Sequence, residues 1–201
     1  ESGFRHIDDL LNQQLGRSVV AEMMDRFDRR EDVFEWILSQ LPMPAAIGKD
    51  RLLQEYRSHL PRIGLGEGAK ELLDQLRSLN VPIGLMTDGR SLTQRNKIKA
   101  LGLQAYLTDI LISEEFGSEK PDPRNYRFFA EKYPDRSFSF IGDNTSKDFI
   151  VPAQLGWTTI CLKCSGRNIH RQDFSVQPRP DHVISSLRDV RVITTSASIG
   201  C

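Results

Sequence analysis

The sequence predicts an α/β protein in which a three-layer, helix-covered parallel sheet follows an all-helical block. Three observations carry this. Up to about Pro61 apolar residues recur at helical spacing and almost never alternate; beyond it, short apolar runs with turn residues behind them alternate with amphipathic stretches; and the polar residues suited to chemistry fall just behind successive apolar runs. Strands separated by helices argue for a parallel sheet covered on both faces, and such sheets bind ligands outside the carboxyl ends of their strands. The expected division is residues 1–62 for the helical block and 63–201 for the sheet and its helices.

In the helical block, Phe4, Ile7, Leu10, Leu11 and Leu15 line one face, and Gly16 is a stop signal. Val19, Val20, Met23, Met24 and Phe27 form a second stripe, and Val33, Phe34, Trp36, Ile37 and Leu41 a third that Pro42 and Pro44 close. These stripes serve helix-on-helix packing, and a cap over a substrate is compatible with the same pattern. After Pro61, Leu72, Leu73, Leu76 and Leu79 mark a helix, Val81 to Met86 a buried strand, and Ile98 and Leu101 a helix ending at Gly102. A strand near Ile110 to Ile112, a helix near Tyr126 to Tyr133, a strand at Phe138 to Ile141 and a helix after Asp148 follow. Strands at Thr158 to Leu162 and His182 to Ile184 complete the pattern, with Gly166 to Pro180 an irregular connection.

At 201 residues the chain suits one medium domain, or a domain with an insert, against a prior of roughly 100–200 residues per domain. Lys and Arg number 27 and so do Asp and Glu, so no global field attracts nucleic acid or an anionic membrane surface. No apolar run approaches the ~18 residues of a membrane span. Three cysteines make no disulfide framework, which fits a reducing, cytoplasmic setting.

Three motifs fall where the sheet would place a site. GLMTDGR puts Thr87 just past the strand Val81 to Met86, SEKPDP puts Lys120 beyond the next, and FIGDNTSKD puts Asp143 beyond a third, with Asp148 behind it. A hydroxyl with the Asp88–Gly89 turn, an ammonium and a carboxylate pair answer the needs of a phosphoryl group and Mg²⁺: donors for oxyanions, a point charge and hard oxygen ligands. Singly, each has an ordinary structural role as a helix cap, a turn residue or a solvated charge.

Taken in order, Thr87, Lys120 and the GDNTSKD segment resemble motifs II, III and IV of the haloacid dehalogenase superfamily over most of residues 63–165, and the helical block resembles the small cap of one branch. The resemblance implies a Rossmann-like core and hydrolysis of a small phosphomonoester through an aspartyl-phosphate intermediate, with Mg²⁺ as cofactor. It implies that Thr87, with Asp88 and Gly89, binds the phosphoryl group, that Lys120 offsets charge on nucleophile and phosphoryl, and that Asp143 ligates the metal. Asp148 would stand behind the metal, holding water or Lys120, and Asn144 is a weaker candidate for the same shell.

One motif departs. The leading strand of that superfamily carries DxDxT, the source of nucleophile and general acid, and residues 1–62 contain no match; Asp8-Asp9 lies on a helical stripe. The expectation is a chain cut just downstream of that motif, binding Mg²⁺ weakly and hydrolysing little. The missing strand would lie between those bearing Thr87 and Asp143, separating them by ~9.6 Å, twice the normal strand spacing. Val192 to Thr195 is a strand-like run that could fill such a slot. A phosphomutase shares every motif present, and a catalytically inert phosphate-binding module is the alternative from another class. A receiver-type domain is disfavoured, because its acidic cluster precedes the Thr and Lys. Cys161 and Cys164, three positions apart, would face opposite sides of a strand and so cannot chelate unless the strand has ended, His6, His59, His170 and His182 lack ligand spacing, and Gly64, Gly66 and Gly68 have no strand before them.

Overall fold

The computed structural model describes residues 1–42, 47–163 and 172–193. In chain order it holds α1 (Ser2–Leu15), α2 (Val20–Asp28), α3 (Val33–Ser39), α4 (Lys49–Ser58), α5 (Ala69–Ser78), β1 (Gly84–Thr87) and α6 (Ser91–Ala100). There follow β2 (Asp109–Ile112), α7 (Ser113–Phe116), α8 (Pro123–Lys132), β3 (Ser139–Gly142), α9 (Ile150–Gln154), β4 (Thr158–Leu162) and β5 (His182–Ile184). The contacts divide into two compact units: Glu1–Gly64 with Ser91–Leu103, and Leu65–Arg90 with the described residues from Gln104 onward.

The helical unit is built on the stripes. Phe4, Ile7, Leu11, Val19, Met23, Val33, Ile37, Leu41 and Leu52 form one buried core. Leu10 is exposed instead, because the buried face of α1 runs through Phe4, Ile7 and Leu11 and its neighbour falls beyond the edge of that stripe. Gly16 ends α1 at φ 67°, its N–H donating to Asn12 O. Asp8 is buried for a local reason: its carboxylate accepts from Ser18 Oγ (2.8 Å) and Val19 N (2.7 Å) and so ties α1 to the start of α2.

Helix α4 carries no apolar stripe of its own in the sequence reading, yet its Leu52 is fully buried. The last carbonyls of a helix lack intrahelical partners. Those of α4 find them on α6, where Thr93 Oγ1 donates to Arg57 O (3.3 Å) and Asn96 Nδ2 donates to Ser58 O (2.8 Å) and His59 O (3.2 Å). Helix α6 therefore groups with the helical unit although the strands flank it in sequence.

In the second unit β1 pairs in parallel with β2, and β3, β4 and β5 form a second parallel set in that order. Among the described residues no ladder joins β1 to β3. Strand β1 begins at Gly84 rather than Val81, because Pro82 has no N–H to donate to a ladder. Gly84 is bare because a Cβ there would lie 2.9 Å from Phe129 Cδ1. Leu111, Tyr126, Phe129, Val151 and Trp157 make this unit's core, with Phe138 stacked on Trp157 at 4.5 Å between centroids.

Helix α8 starts at Pro123, earlier than the apolar pattern indicates, because Asp122 caps it by accepting from Arg124 N (2.9 Å) and proline suits the first helical position. Val192 and Ile193 are not in a strand. Thr194 and Thr195, together with Pro44, Cys164, His170 and the stretch 166–171 of the expected connection, lie outside the described residues. No helix among the described residues is long and apolar enough to cross a membrane.

Because Leu52 has no exposed surface, Leu52→Ala is expected to lower the unfolding free energy by ~2–5 kcal/mol. A reduced urea midpoint at unchanged slope would register it.

Candidate active site

The site is organised where β3 ends. A Cβ on Gly142 would stand 2.9 Å from Asp148 Cγ, so glycine at this position lets the Asp148 side chain fold back beneath the strand end. The intervening loop closes on Asn144: its carbonyl accepts from Lys147 N (3.1 Å) and Asp148 N (2.9 Å). Its side-chain oxygen accepts from Ser146 N (3.1 Å) and Ser146 Oγ (2.7 Å), an Asx-type turn.

Asp148 is 1% exposed, and a buried carboxylate needs donors for both oxygens. Its Oδ2 accepts from Asp143 N (3.2 Å) and Asn144 N (3.0 Å), and its Oδ1 takes the Lys120 ammonium at 2.7 Å. Lys120 is itself largely enclosed, with Nζ 6.0 Å from the centroid of the Phe140 ring. Asp88, in the loop after β1, accepts from the backbone N–H of Lys120 (3.0 Å), and its other oxygen lies 3.6 Å from Lys147 Nζ. Gly89 N donates to the buried Ser113 Oγ (2.9 Å) at the end of β2. Below this network the Tyr126 hydroxyl donates to Lys147 O (3.4 Å). Burial, aided by the charges of Asp148 and Asp88, pushes its phenol far above the usual range.

The structure thus gathers Asp88, Lys120, Asp143, Asn144 and Asp148 into one connected network, with Thr87 as the last residue of β1 directly before Asp88 and Gly89 directly after it. The carboxylate of Asp88 binds the Lys120 segment, so any phosphate donor at position 88 would be its backbone N–H. Ser113, Lys147 and Gln172, whose amide nitrogen donates to Asp143 O (2.8 Å), also join this network, and the sequence motifs assign them no role. Lys147 lies inside GDNTSKD and Ser113 directly behind a strand, which are positional signals; Gln172 has none.

No group of three or more His, Cys, Asp or Glu side chains converges as metal ligands would among the described residues. Asp148 is committed to Lys120 and two backbone amides, and Asp143, directly after β3, is the other carboxylate of the loop. Mg²⁺ is commonly held by one or two carboxylates together with water and substrate phosphate. The donor set here fits that sparse mode.

Residues 17–161 match the model of the haloacid dehalogenase-like hydrolase family, and the chain belongs to that family. Among solved structures it superposes on the magnesium-bound Bacillus subtilis protein YfnB with a TM-score of 0.62 at 21% identity, covering 92% of this chain and 88% of that one. That match supports the Rossmann-like fold. The glyceraldehyde 3-phosphate phosphatase of Methanocaldococcus jannaschii is 26% identical over 121 residues, which are 59% of this chain and 51% of that protein. The pyrimidine 5'-nucleotidase YjjG of Escherichia coli is 31% identical over 126 residues, 61% and 53% respectively. The chain therefore spans about half the length of these curated relatives.

Removing Lys120 would leave Asp148 buried and unpaired. Lys120→Met is expected to cost ~3–5 kcal/mol of stability, and adding Asp148→Asn should recover much of it. Chemical denaturation of the two single variants and the double variant measures that coupling.

Near the Lys120 segment, hydrogen bonds from the Arg124 guanidinium and backbone hold the Asp122 carboxyl down to about 2. A depressed carboxyl contributes stability that is complete above its unfolded value of ~3.9 and is lost as pH falls through the folded one. Asp122→Asn keeps a capping oxygen but cannot ionise. It should flatten the fall in melting temperature between about pH 4 and pH 2.

Proposed function

We propose that the chain is the cap and core of a Mg²⁺-dependent phosphatase acting on a small phosphomonoester. The observation that carries this reading is the buried Lys120–Asp148 pair, 2.7 Å long, with Asp143 and, through Asp88, the loop directly after Thr87 tied to it. A fixed ammonium beside a hard carboxylate and a donor-rich loop suits a phosphate dianion and its counter-cation. Thr87 and the backbone of the following turn would hold the phosphoryl oxygens, and Lys120 would offset charge as the ester bond breaks. Asp143 would hold the metal, and Asp148 would fix Lys120 and the loop of Asp143. Bound Mg²⁺ would supply charge neutralisation on the phosphoryl oxygens.

The nucleophilic carboxylate that takes the phosphoryl group, to be released as orthophosphate by water, has no counterpart among residues 1–62. This reading assigns it to sequence outside these 201 residues. The two curated relatives bear the names of a triose phosphate phosphatase and a nucleotidase, unlike substrates, so the reading extends to small phosphomonoesters as a class.

The 201-residue chain is expected to leave p-nitrophenyl phosphate essentially unhydrolysed yet to bind orthophosphate with Mg²⁺. Binding should shift amide resonances at 87–89, 120 and 143–148. Lys120→Met should weaken it by roughly tenfold or more, the scale of one charge-assisted hydrogen bond. Phosphate-induced shifts elsewhere in the chain, with none in those segments, would refute the assignment, and robust hydrolysis would refute the missing nucleophile.

A further inference from the structure

Beyond the motif residues, one side chain from a remote segment grips the metal-side loop. Gln172 lies between the strand β4 and the short strand β5. Its amide nitrogen donates to Asp143 O at 2.8 Å and to Leu162 O at 2.9 Å, with Cys161 Sγ at 3.8 Å. A carboxamide nitrogen has exactly two hydrogens. Both are directed at main-chain carbonyls, one just past the end of β3 and one at the end of its neighbour β4. Two carbonyl acceptors also fix the orientation of the group, since the amide oxygen in the same place would repel both. The next residue adds a second attachment, Asp173 N donating to Thr145 Oγ1 at 2.9 Å.

We propose that Gln172 is a positioning residue that sets the cation affinity of Asp143 by clamping its backbone to the end of β4. The inference rests on the reading of Asp143 as a metal ligand. Asp143 follows the last paired residue of β3, Gly142, which is in register with Cys161. The ladder thus stops one residue short of the ligand. From there Asp148 holds the N–H side of Asp143 and Gln172 the C=O side. With both peptide groups anchored, the side chain projects from a backbone held at each end. Partners that orient a metal ligand commonly govern affinity by ~10–100-fold although they never touch the metal.

The test uses the full 201-residue chain with Mn²⁺ as the probe, followed by paramagnetic broadening of backbone amide signals. Gln172→Met keeps the length and removes both donors, and is expected to weaken Mn²⁺ binding by ~10-fold and to speed hydrogen exchange of the 143–148 amides. Gln172→Asn, one methylene too short to bridge both carbonyls, should show a smaller loss. It serves as the second variant if Gln172→Met folds poorly. A purely structural role would lower the melting temperature without moving Mn²⁺ affinity, as the core change Phe129→Leu should. Unchanged Mn²⁺ affinity in both Gln172 variants overturns the proposal. If instead Asp143→Asn leaves Mn²⁺ binding of the parent unaltered, the ligand reading of Asp143 fails. Gln172 is then judged on exchange at 143–148 alone, where unchanged rates overturn the clamp.

Discussion

One buried carboxylate holds the candidate site together. Asp148 draws in the Lys120 ammonium from the segment beyond β2 and two backbone amides from the end of β3. In a low-dielectric setting those bonds are strong, and leaving any of them unmade is costly, so the arrangement is held as a unit. Gly142 is required for the same reason, since any side chain would occupy the space of the carboxylate. Asp88 extends the unit to the loop after β1 by accepting from the main chain of Lys120.

The acidic residues divide the work. Asp148 and Asp88 spend their charge on internal cations and amides, fixing loops. Asp122 caps the helix after Lys120, and Asp8 fastens two helices of the other unit. Asp143 directly follows the last residue of β3, and its backbone N–H is held by Asp148. A chain of zero formal net charge thereby obtains a local site from how its charges are paired and in what order they meet solvent.

Much of this was legible in the sequence because the chemistry restricts residue type. Thr87, Lys120 and the GDNTSKD run fall at or behind strands that hydrophobic patterning locates, and Lys120 meets Asp148 of that run at 2.7 Å. The strands themselves fall in two parallel ladders, β1–β2 and β3–β4–β5. Other features left no local trace. Gln172 lies in a polar stretch and acts on main-chain carbonyls, which every residue possesses. The company kept by α6 depends on Thr93 and Asn96 meeting the end of α4, more than thirty residues earlier, and neither side chain is unusual on a helix surface. Strand β1 starts at Gly84, late in the apolar run from Val81, because Pro82 cannot donate to a ladder.

The helical unit is discontinuous: residues 1–64 are completed by 91–103, which return to it from the far side of β1. For anyone exchanging this helical unit between homologues, the transplant is therefore two pieces of chain and not one. Moving the first piece alone would strand three carbonyls of the donor helix without the threonine and asparagine evolved to meet them. A chimera stitched at both seams keeps that seal.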